Sequence, residues 1–490
     1  MGENMERIGC SELRELVSDP MDTVKRFLPR KGVIAFGGMS GSSVPKEFPR
    51  AMAKLLEEDQ GYSLTLLTGG ATSEEFERSV SRIARIFHRR YPFLSGGEHR
   101  NMANSNILQF FDYGLYKFNR MIRTGGLGEV DIAVIEGTAI LEDCSVIPSL
   151  SLDSSLSFVR MAKRVIVEIN ESKPRLDGLH DVYMEDSPIP LRRVWQRIGD
   201  IKLRIPSSKI VAILLTEEND SSPGAYKSPG DAETKISDNI LQFLSQEIKK
   251  GFSRELYERG DLILQPGAGS LSSKLEERLS QFGLRVDVWA ETLPVKWALH
   301  AGDYAKHVSS SALFALHGDE KYLHEFYETR DFKNVVLRGQ NVTNNPEVIQ
   351  RLNLVSILQA INVDVYGNAN ISHIHGKIYN GVGGSVDFAP NAYITVIALP
   401  STTGDGKISR IVPMTTHVDI PEHYVDVVVT EQGYADLRGK APIERAKEIV
   451  ERCAHPSFKD SLLRYLERVK EIGHEGHDPG LAYELFGDAL

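Results

Sequence analysis

The sequence is poor in cysteine. Cys10, Cys144 and Cys453 are the three among 490 residues, too few and too widely spaced for a disulfide framework or a cysteine-held metal cluster, and they read as the usage of a reducing compartment. It contains no uninterrupted run of about 18 apolar residues, so no membrane-spanning helix is expected. Long basic runs are missing as well: 57 Lys and Arg stand against 67 Asp and Glu, for a net charge of −10. That balance excludes a general electrostatic hold on nucleic acid, though a local basic patch for a small anion remains open. The opening MGENMERIGC has neither an apolar signal core nor an Arg-rich transit pattern. A cytoplasmic protein is the resulting expectation, or a mitochondrial one if an import signal has been removed.

What the chain does contain is ordinary for a soluble globular protein: 41% hydrophobic and 25% charged residues. Its length exceeds what one core supports, so two or three domains are expected. Short apolar runs rich in β-branched residues recur at 32–38, 63–70, 131–137, 164–170 and 209–217. Their near-continuous apolarity suits strands covered on both faces, as in parallel sheets. Helical patterns at 45–58 and 73–90 lie between some of them, which is the α/β signature. The arginine-rich run at 75–90 reads as a solvated helix face.

The segment 218–233, ENDSSPGAYKSPGDAE, is the clearest shift in composition and places a boundary between domains 1–220 and 221–490. An amphipathic helix follows, with Ile236, Ile240, Phe243 and Leu244 on one face and Gly251 at its end. The strand, glycine turn and helix of LILQPGAGSLSSKLEERLSQFG then resemble VIAFGGMSGSSVPKEFPRAM of the first half.

Residues 261–291 form one candidate unit. A strand at 261–265 enters a turn containing Gly267 and Gly269, and Leu271, Leu275, Leu279 and Phe282 then repeat at helical spacing. Ser273 with Glu276 fits a capping box, and Ser270 is an alternative N-cap. Free N–H groups at such a terminus can hold a phosphate, a thiolate or a developing oxyanion. Ser272 replaces the third glycine of a dinucleotide fingerprint, and no GK[ST] ending of a P-loop is present. By itself such a turn is more often structural than functional. Leu284, Val286, Val288 and Ala290 alternate along the next strand, leaving Glu291 at its C-terminal end, where open α/β sheets bind ligands. A lone Glu there is more often a solvated turn residue.

Two further stretches carry polar groups at comparable places. Gly381, Gly383 and Gly384, flanked by Asn380 and Asp387, need backbone freedom or a close approach by a ligand. VVVTEQGYADLRG runs a buried-looking strand into Glu431. His373, His375, His417, Asp419 and His423 look ligand-like, but loop histidines without a metal are the better reading. Cys453 reads as packing.

GNANISHIHGKIYNGVGGSVDFAPNAYITV, IVPMTTHVD, VTEQGYADLRG and CAHPSFKDSLL together resemble the C-terminal signature of the acetyl-CoA hydrolase/transferase family. VDIAVIEGTAI and RVIVEIN extend the resemblance into the first half. It implies two similar open α/β domains of the CoA-transferase (NagB/RpiA) type with the active site between them. It further implies Glu291 as nucleophile and coenzyme A contacts at Gly267, Ala268, Gly269, Ser270, Leu271, Asn380, Gly384 and Lys407. Asn344, Gly383 and Glu431 match acyl or carboxylate positions. Coenzyme A is then a substrate rather than a tightly bound cofactor, exchanged between a short-chain acyl-CoA (acetyl-, propionyl- or succinyl-CoA) and a small carboxylate by a homodimer without metal; the alternatives are an acetyl-CoA hydrolase using the same covalent intermediate and a catalytically weak CoA-binding relative. Relatives commonly carry different neighbours around the nucleophile than Ala290 and Thr292-Leu293-Pro294, Asn at position 270, and an Arg in the NDSSPGAY loop.

Overall fold

A computed structural model describes residues 6–94, 96–184, 188–221, 229–329 and 332–489. Val130–Ile140, read VDIAVIEGTAI, is almost wholly buried, and the period-two alternation of its neighbours explains why. Ala35, Ala133, Ile135, Val165 and Val167 point into one core. Ile34, Phe36, Ile132, Val134 and Ile166 point into another on the opposite face. A sheet with a core on each side has no polar face to show, hence the continuous apolar runs.

The chain divides into two compact units, and the division is not a single cut. Unit 1 holds residues 1–227, 290–301 and 307–348; unit 2 holds 228–289, 302–306 and 349–490. The sequence reading put one boundary at 220/221 and the candidate nucleophile in the second domain. Glu291 instead belongs to unit 1, because the chain returns to that unit after Trp289. Residues 222–228, part of the expected boundary segment and most of the NDSSPGAY loop, lie outside the described residues.

In unit 1, seven parallel strands run in the order Gln109–Phe110, Phe87–Tyr91, Ser63–Thr68, Lys31–Phe36, Val130–Ile140, Ala162–Asn170 and Ile210–Thr216. The helix Glu47–Glu58 covers one face with Phe48, Met52 and Leu56. Its N-terminus has no capping side chain of its own. The carboxylate of Glu168, on the Ala162–Asn170 strand, accepts from the N–H groups of Lys46, Glu47 and Phe48 at 2.7, 3.1 and 2.8 Å.

Two expectations need correction here. The helical pattern at 73–90 ends as helix at Arg82, and Phe87–Tyr91 is a strand paired with Ser63–Thr68. Arg90 is fully buried rather than solvated, its guanidinium meeting Glu77 and the Nδ1 of His99. The cysteine reading also changes. Ile8 pairs with Ile140 and the Gly9 N–H donates to the Ile140 carbonyl at 2.7 Å, which brings Cys10 to Cys144 as a disulfide with Cα atoms 5.0 Å apart. Cys453 is free and buried, as packing requires.

His99 and His180 are fully buried. Burial pushes the His99 imidazole down to about 3, with the Arg90 charge adding to the effect. Burial likewise takes His180 down to about 4, although its hydrogen bond to the Ser149 carbonyl opposes the shift. In the unfolded chain both take up protons near pH 6.5, so stability from keeping them neutral is complete above that pH and lost as pH falls toward 4. Urea midpoints should therefore drop between pH 7 and pH 5, before most carboxylates titrate; a flat profile over that window would contradict the assignment.

Unit 2 carries parallel strands in the order Val427–Thr430, Ile394–Ala398, Val355–Gln359, Ile263–Gln265 and Val286–Trp289, with Gly433–Asp436 antiparallel at one edge. Asp231–Glu247 is the expected amphipathic helix, burying Ile236, Ile240, Phe243 and Leu244; Gly251 opens a separate helix. No helix among the described residues is long and apolar enough to cross a membrane.

Candidate functional site

Within unit 1 the residues after Trp289 lie alongside 309–314. The Ala290 N–H donates to the Ser309 carbonyl at 2.9 Å, and the Glu291 carbonyl accepts from the Ser311 N–H at 3.0 Å and the Ser311 hydroxyl at 2.6 Å. Thr292–Pro294 then pairs in parallel with Ala312–Phe314. The backbone is fixed on both sides of Glu291, while its side chain is only half-buried.

The carboxylate meets Asn344, whose Nδ2 donates to Glu291 Oε2 at 2.9 Å. Asn344 follows the short helix Gln340–Thr343, and Gln340 ties that helix to the rest of unit 1. Its amide donates to the Gly69 carbonyl at 2.9 Å and accepts from Asn119 and Ser154 at 3.0 and 2.8 Å. Thr343 donates its hydroxyl proton to Asn344 Oδ1 at 2.9 Å.

The loop after the Lys31–Phe36 strand closes in from another direction. Thr292 donates to the Ser40 hydroxyl at 3.1 Å. Gly38, Ser40, Gly41 and Ser43 all have positive φ, so the GGMSGSS turn folds sharply back on itself. A small cavity is lined by Ser40, Gly41, Ser42, Leu313, Phe314 and Asp220, among others. Beneath it lies a buried charge network. Lys46 Nζ reaches Glu136 at 2.5 Å and Asp220 at 2.9 Å, and Lys173 Nζ reaches the same two carboxylates at 2.5 and 2.6 Å.

In unit 2 the register brings several strand ends to one edge. Gln265 pairs with Ser356, Gln359 with Ala398, and Ala398 with Val429. The glycine turn after the first of these strands has φ of 71° at Gly267 and 82° at Gly269. A Cβ on Gly267 would stand 2.8 Å from the Ile357 carbonyl oxygen, so only glycine fits there. Gln359 donates to the Ala268 carbonyl at 2.6 Å. The helix begins at Gly269 with Ala268 as N-cap and no side-chain cap, so neither the Ser273–Glu276 box nor a Ser270 cap forms. The first-turn N–H groups, Ser270 and Leu271 among them, are left without a capping side chain from this segment.

Glu431 follows the Val427–Thr430 strand at the same edge. It accepts from the Ser401 N–H at 2.8 Å, the Ser401 hydroxyl, and Gln432 at 2.9 Å. Burial alone would raise its carboxyl, but these hydrogen bonds outweigh it and hold the group below its ordinary value. Gly383 has φ of 58°, Gly384 caps a single helical turn, Ser385–Phe388, and the Asn380 N–H donates to the Ser372 carbonyl at 3.3 Å. Lys407 lies on the exposed turn 403–408, beside Asp405. The rings of His373 and His417 lie tilted against each other with centroids 3.7 Å apart, and His417 pairs with Asp419. Among the described residues, no group of three or more His, Cys, Asp or Glu is arranged to hold a metal ion.

Of the residues singled out in the sequence, Glu291 and Asn344 are brought into contact in unit 1. The glycine turn and Glu431 share the strand-end edge of unit 2. Ser40, Ser311, Thr343 and Ser401 were not picked out. The SSS run at 309–311 is the one local sign of them, and it does not distinguish which serine faces Glu291.

Open parallel sheets with polar groups at their strand ends define a ligand-binding α/β protein. RipA from Yersinia pestis shows the same fold, with a TM-score of 0.72 at 20% identity over 94% of this chain and 98% of that one. Residues 22–214 match the acetyl-CoA hydrolase/transferase N-terminal domain and residues 320–466 the C-terminal domain. The chain is 36% identical to a succinyl-CoA:acetate CoA-transferase of Clostridium kluyveri, covering 95% of this chain and 87% of that protein. It is 32% identical to a propanoyl-CoA:succinate CoA transferase of Escherichia coli, covering 94% of each. The chain belongs to the acetyl-CoA hydrolase/transferase family.

Proposed function

We propose that the protein is a CoA-transferase that moves coenzyme A between a short-chain acyl-CoA and a small carboxylate, with Glu291 as nucleophile. The observation that carries this reading is a half-buried carboxylate on a clamped backbone, with an amide donor 2.9 Å from one oxygen. Glu291 attacks the thioester carbonyl, forming an acyl–glutamyl anhydride and releasing the coenzyme A thiolate. The thiolate attacks the glutamyl carbonyl, releasing the acyl group as a free carboxylate and leaving a glutamyl–CoA thioester. An incoming carboxylate reverses both steps and departs as the new acyl-CoA.

Each addition passes through an oxyanion, for which N–H donors at Ala268 to Leu271 and at Gly383 and Gly384 are suited; one donor is worth about 3 kcal/mol. Asn380 and Lys407 are assigned to coenzyme A, and Asn344 and Glu431 to the carboxylate and acyl groups. Hydrolysis of acetyl-CoA through the same intermediate is the second reading, favoured by the family description itself. The proposal includes a homodimer and a cytoplasmic setting; the latter rests on the cysteine count and stands against the Cys10–Cys144 disulfide.

An acceptor screen with acetyl-CoA separates the readings: a transferase forms new acyl-CoA in step with acceptor, a hydrolase releases free thiol without one. Borohydride reduction after incubation with acetyl-CoA should mark Glu291. An unmodified Glu291 defeats the covalent route.

A further inference from the structure

A carboxylate nucleophile needs its attacking oxygen within about 3–3.5 Å of the reacting carbon and correctly aimed, and a displacement of about 1 Å costs on the order of a hundredfold in rate. Glutamate has three rotatable side-chain bonds, so the residue type alone does not provide that aim.

We propose that Thr343 and Ser311 are positioning residues for Glu291. Thr343 anchors the oxygen end of the Asn344 amide whose nitrogen meets the carboxylate, and Ser311 holds the Glu291 peptide. The inference rests on Glu291 being the nucleophile.

An asparagine amide presents a donor at one end and an acceptor at the other, and only the donor end is attracted to a carboxylate. That sets Nδ2 toward Glu291, and the Thr343 hydroxyl, donating to Asn344 Oδ1 at 2.9 Å, anchors the amide at its other end. Both Thr343 and Asn344 are fully buried, so water does not compete for that proton. Without it, the amide loses this anchor at Oδ1, and its plane turns more freely about the contact with the carboxylate.

Ser311 acts at the other end of the residue. Its N–H and hydroxyl both reach the Glu291 carbonyl, at 3.0 and 2.6 Å, and together fill that oxygen's two lone pairs. The hydroxyl has one proton, and Met39 Sδ, at 3.9 Å, is the weaker and more distant acceptor. Ser310 lies 3.3 Å from the same carbonyl but only 2.9 Å from the Ala312 carbonyl, so its proton goes there. The Ser311 carbonyl is in turn held by the Leu152 N–H at 2.9 Å. Removing the Ser311 hydroxyl therefore takes away one of the two hydrogen bonds on that carbonyl and loosens the Glu291 peptide, while the Ser311 N–H keeps the paired segments in place.

The test compares wild type with Thr343→Val, Thr343→Ser and Ser311→Ala, using Glu291→Ala as the blank. Glutamyl–CoA formation from acetyl-CoA without acceptor is timed by borohydride quenching and mass spectrometry, beside steady-state exchange. Thr343→Val preserves the β-branched shape, so its fold is expected to survive. We expect it and Ser311→Ala to lower both the adduct rate and kcat by about 10- to 100-fold, with KM for acetyl-CoA little changed. Thr343→Ser should recover most of the rate, because it restores the hydroxyl. A wild-type adduct rate in Thr343→Val, a Ser variant as slow as the Val variant, or a loss confined to KM overturns the positioning role. Absence of any adduct in wild type is a different result: it removes the nucleophile, and this inference falls with it.

Discussion

Replacing Glu291 with Ala is expected to lower exchange of coenzyme A between acetyl-CoA and a carboxylate by at least about 10⁴-fold, the scale seen when a covalent nucleophile is removed. Coenzyme A binding, measured by calorimetry, should persist, because the positions assigned to it at 267–271, 380 and 384 lie elsewhere in the chain. Glu291→Gln is the sharper variant. It keeps the side-chain length and an oxygen for Asn344 to address, yet an amide is too poor a nucleophile to form the anhydride. Retained turnover in either variant would sink the assignment. Loss of binding alongside activity would instead indicate that Glu291 shapes the ligand site.

The second large effect is on stability. Asp220, Lys46, Lys173 and Glu136 form a charge-balanced set with almost no solvent contact. Burial alone would raise the Asp220 carboxyl, but the two ammonium groups outweigh it and hold it well below the usual carboxylate range. The same carboxylates hold the Lys46 ammonium above its ordinary value, against burial. Asp220→Asn leaves two buried cations facing one carboxylate, and breaking a buried pair in this way costs about 3–5 kcal/mol. Denaturant unfolding measures it. Adding Lys173→Met to that variant restores neutrality and should recover part of the loss, whereas purely additive losses would mean the four charges do not act as a set. Since Asp220 is depressed in the folded state, its contribution is complete above about pH 4 and is lost as pH falls below that.

The sheets were legible because a strand buried on both faces announces itself as an unbroken apolar run. Val130–Ile140 and Ala162–Asn170 lie where the sequence reading expected strands, extended by a few residues. Phe87–Tyr91 was not legible, because its two arginines fit the helical face read at 75–90. Arg90 is tolerated inside by Glu77, thirteen residues earlier, and by His99, a pairing that only the fold creates. Ser273 and Glu276 satisfy a capping rule that the chain does not use, since two positive-φ glycines start the helix one turn sooner.

The candidate site divides in the same manner. Glu291 and Asn344 were reached through long motifs shared with a family; strand position alone favoured a solvated turn. Ser311 and Thr343 act on a backbone carbonyl and on an amide's orientation, and such roles leave no spacing to read. The same holds for Cys10 and Cys144, separated by 134 positions and joined because Gly9 lets the N-terminal segment lie against Ile140.

The broken division of the chain also sets an order of events during synthesis. Unit 1 includes residues 307–348, so its fold remains incomplete until the ribosome has passed all of 228–306 and continued to 348. The Val335–Arg338 strand, which pairs with His180–Asp181, and the helix Gln340–Thr343 after it are late arrivals among its elements. Arg338 then buries its charge against Asp181, which until that moment has no cation at this position. A growing chain that pauses before residue 338 carries an unfinished first unit with apolar edges still open, the kind of nascent species that chaperones hold.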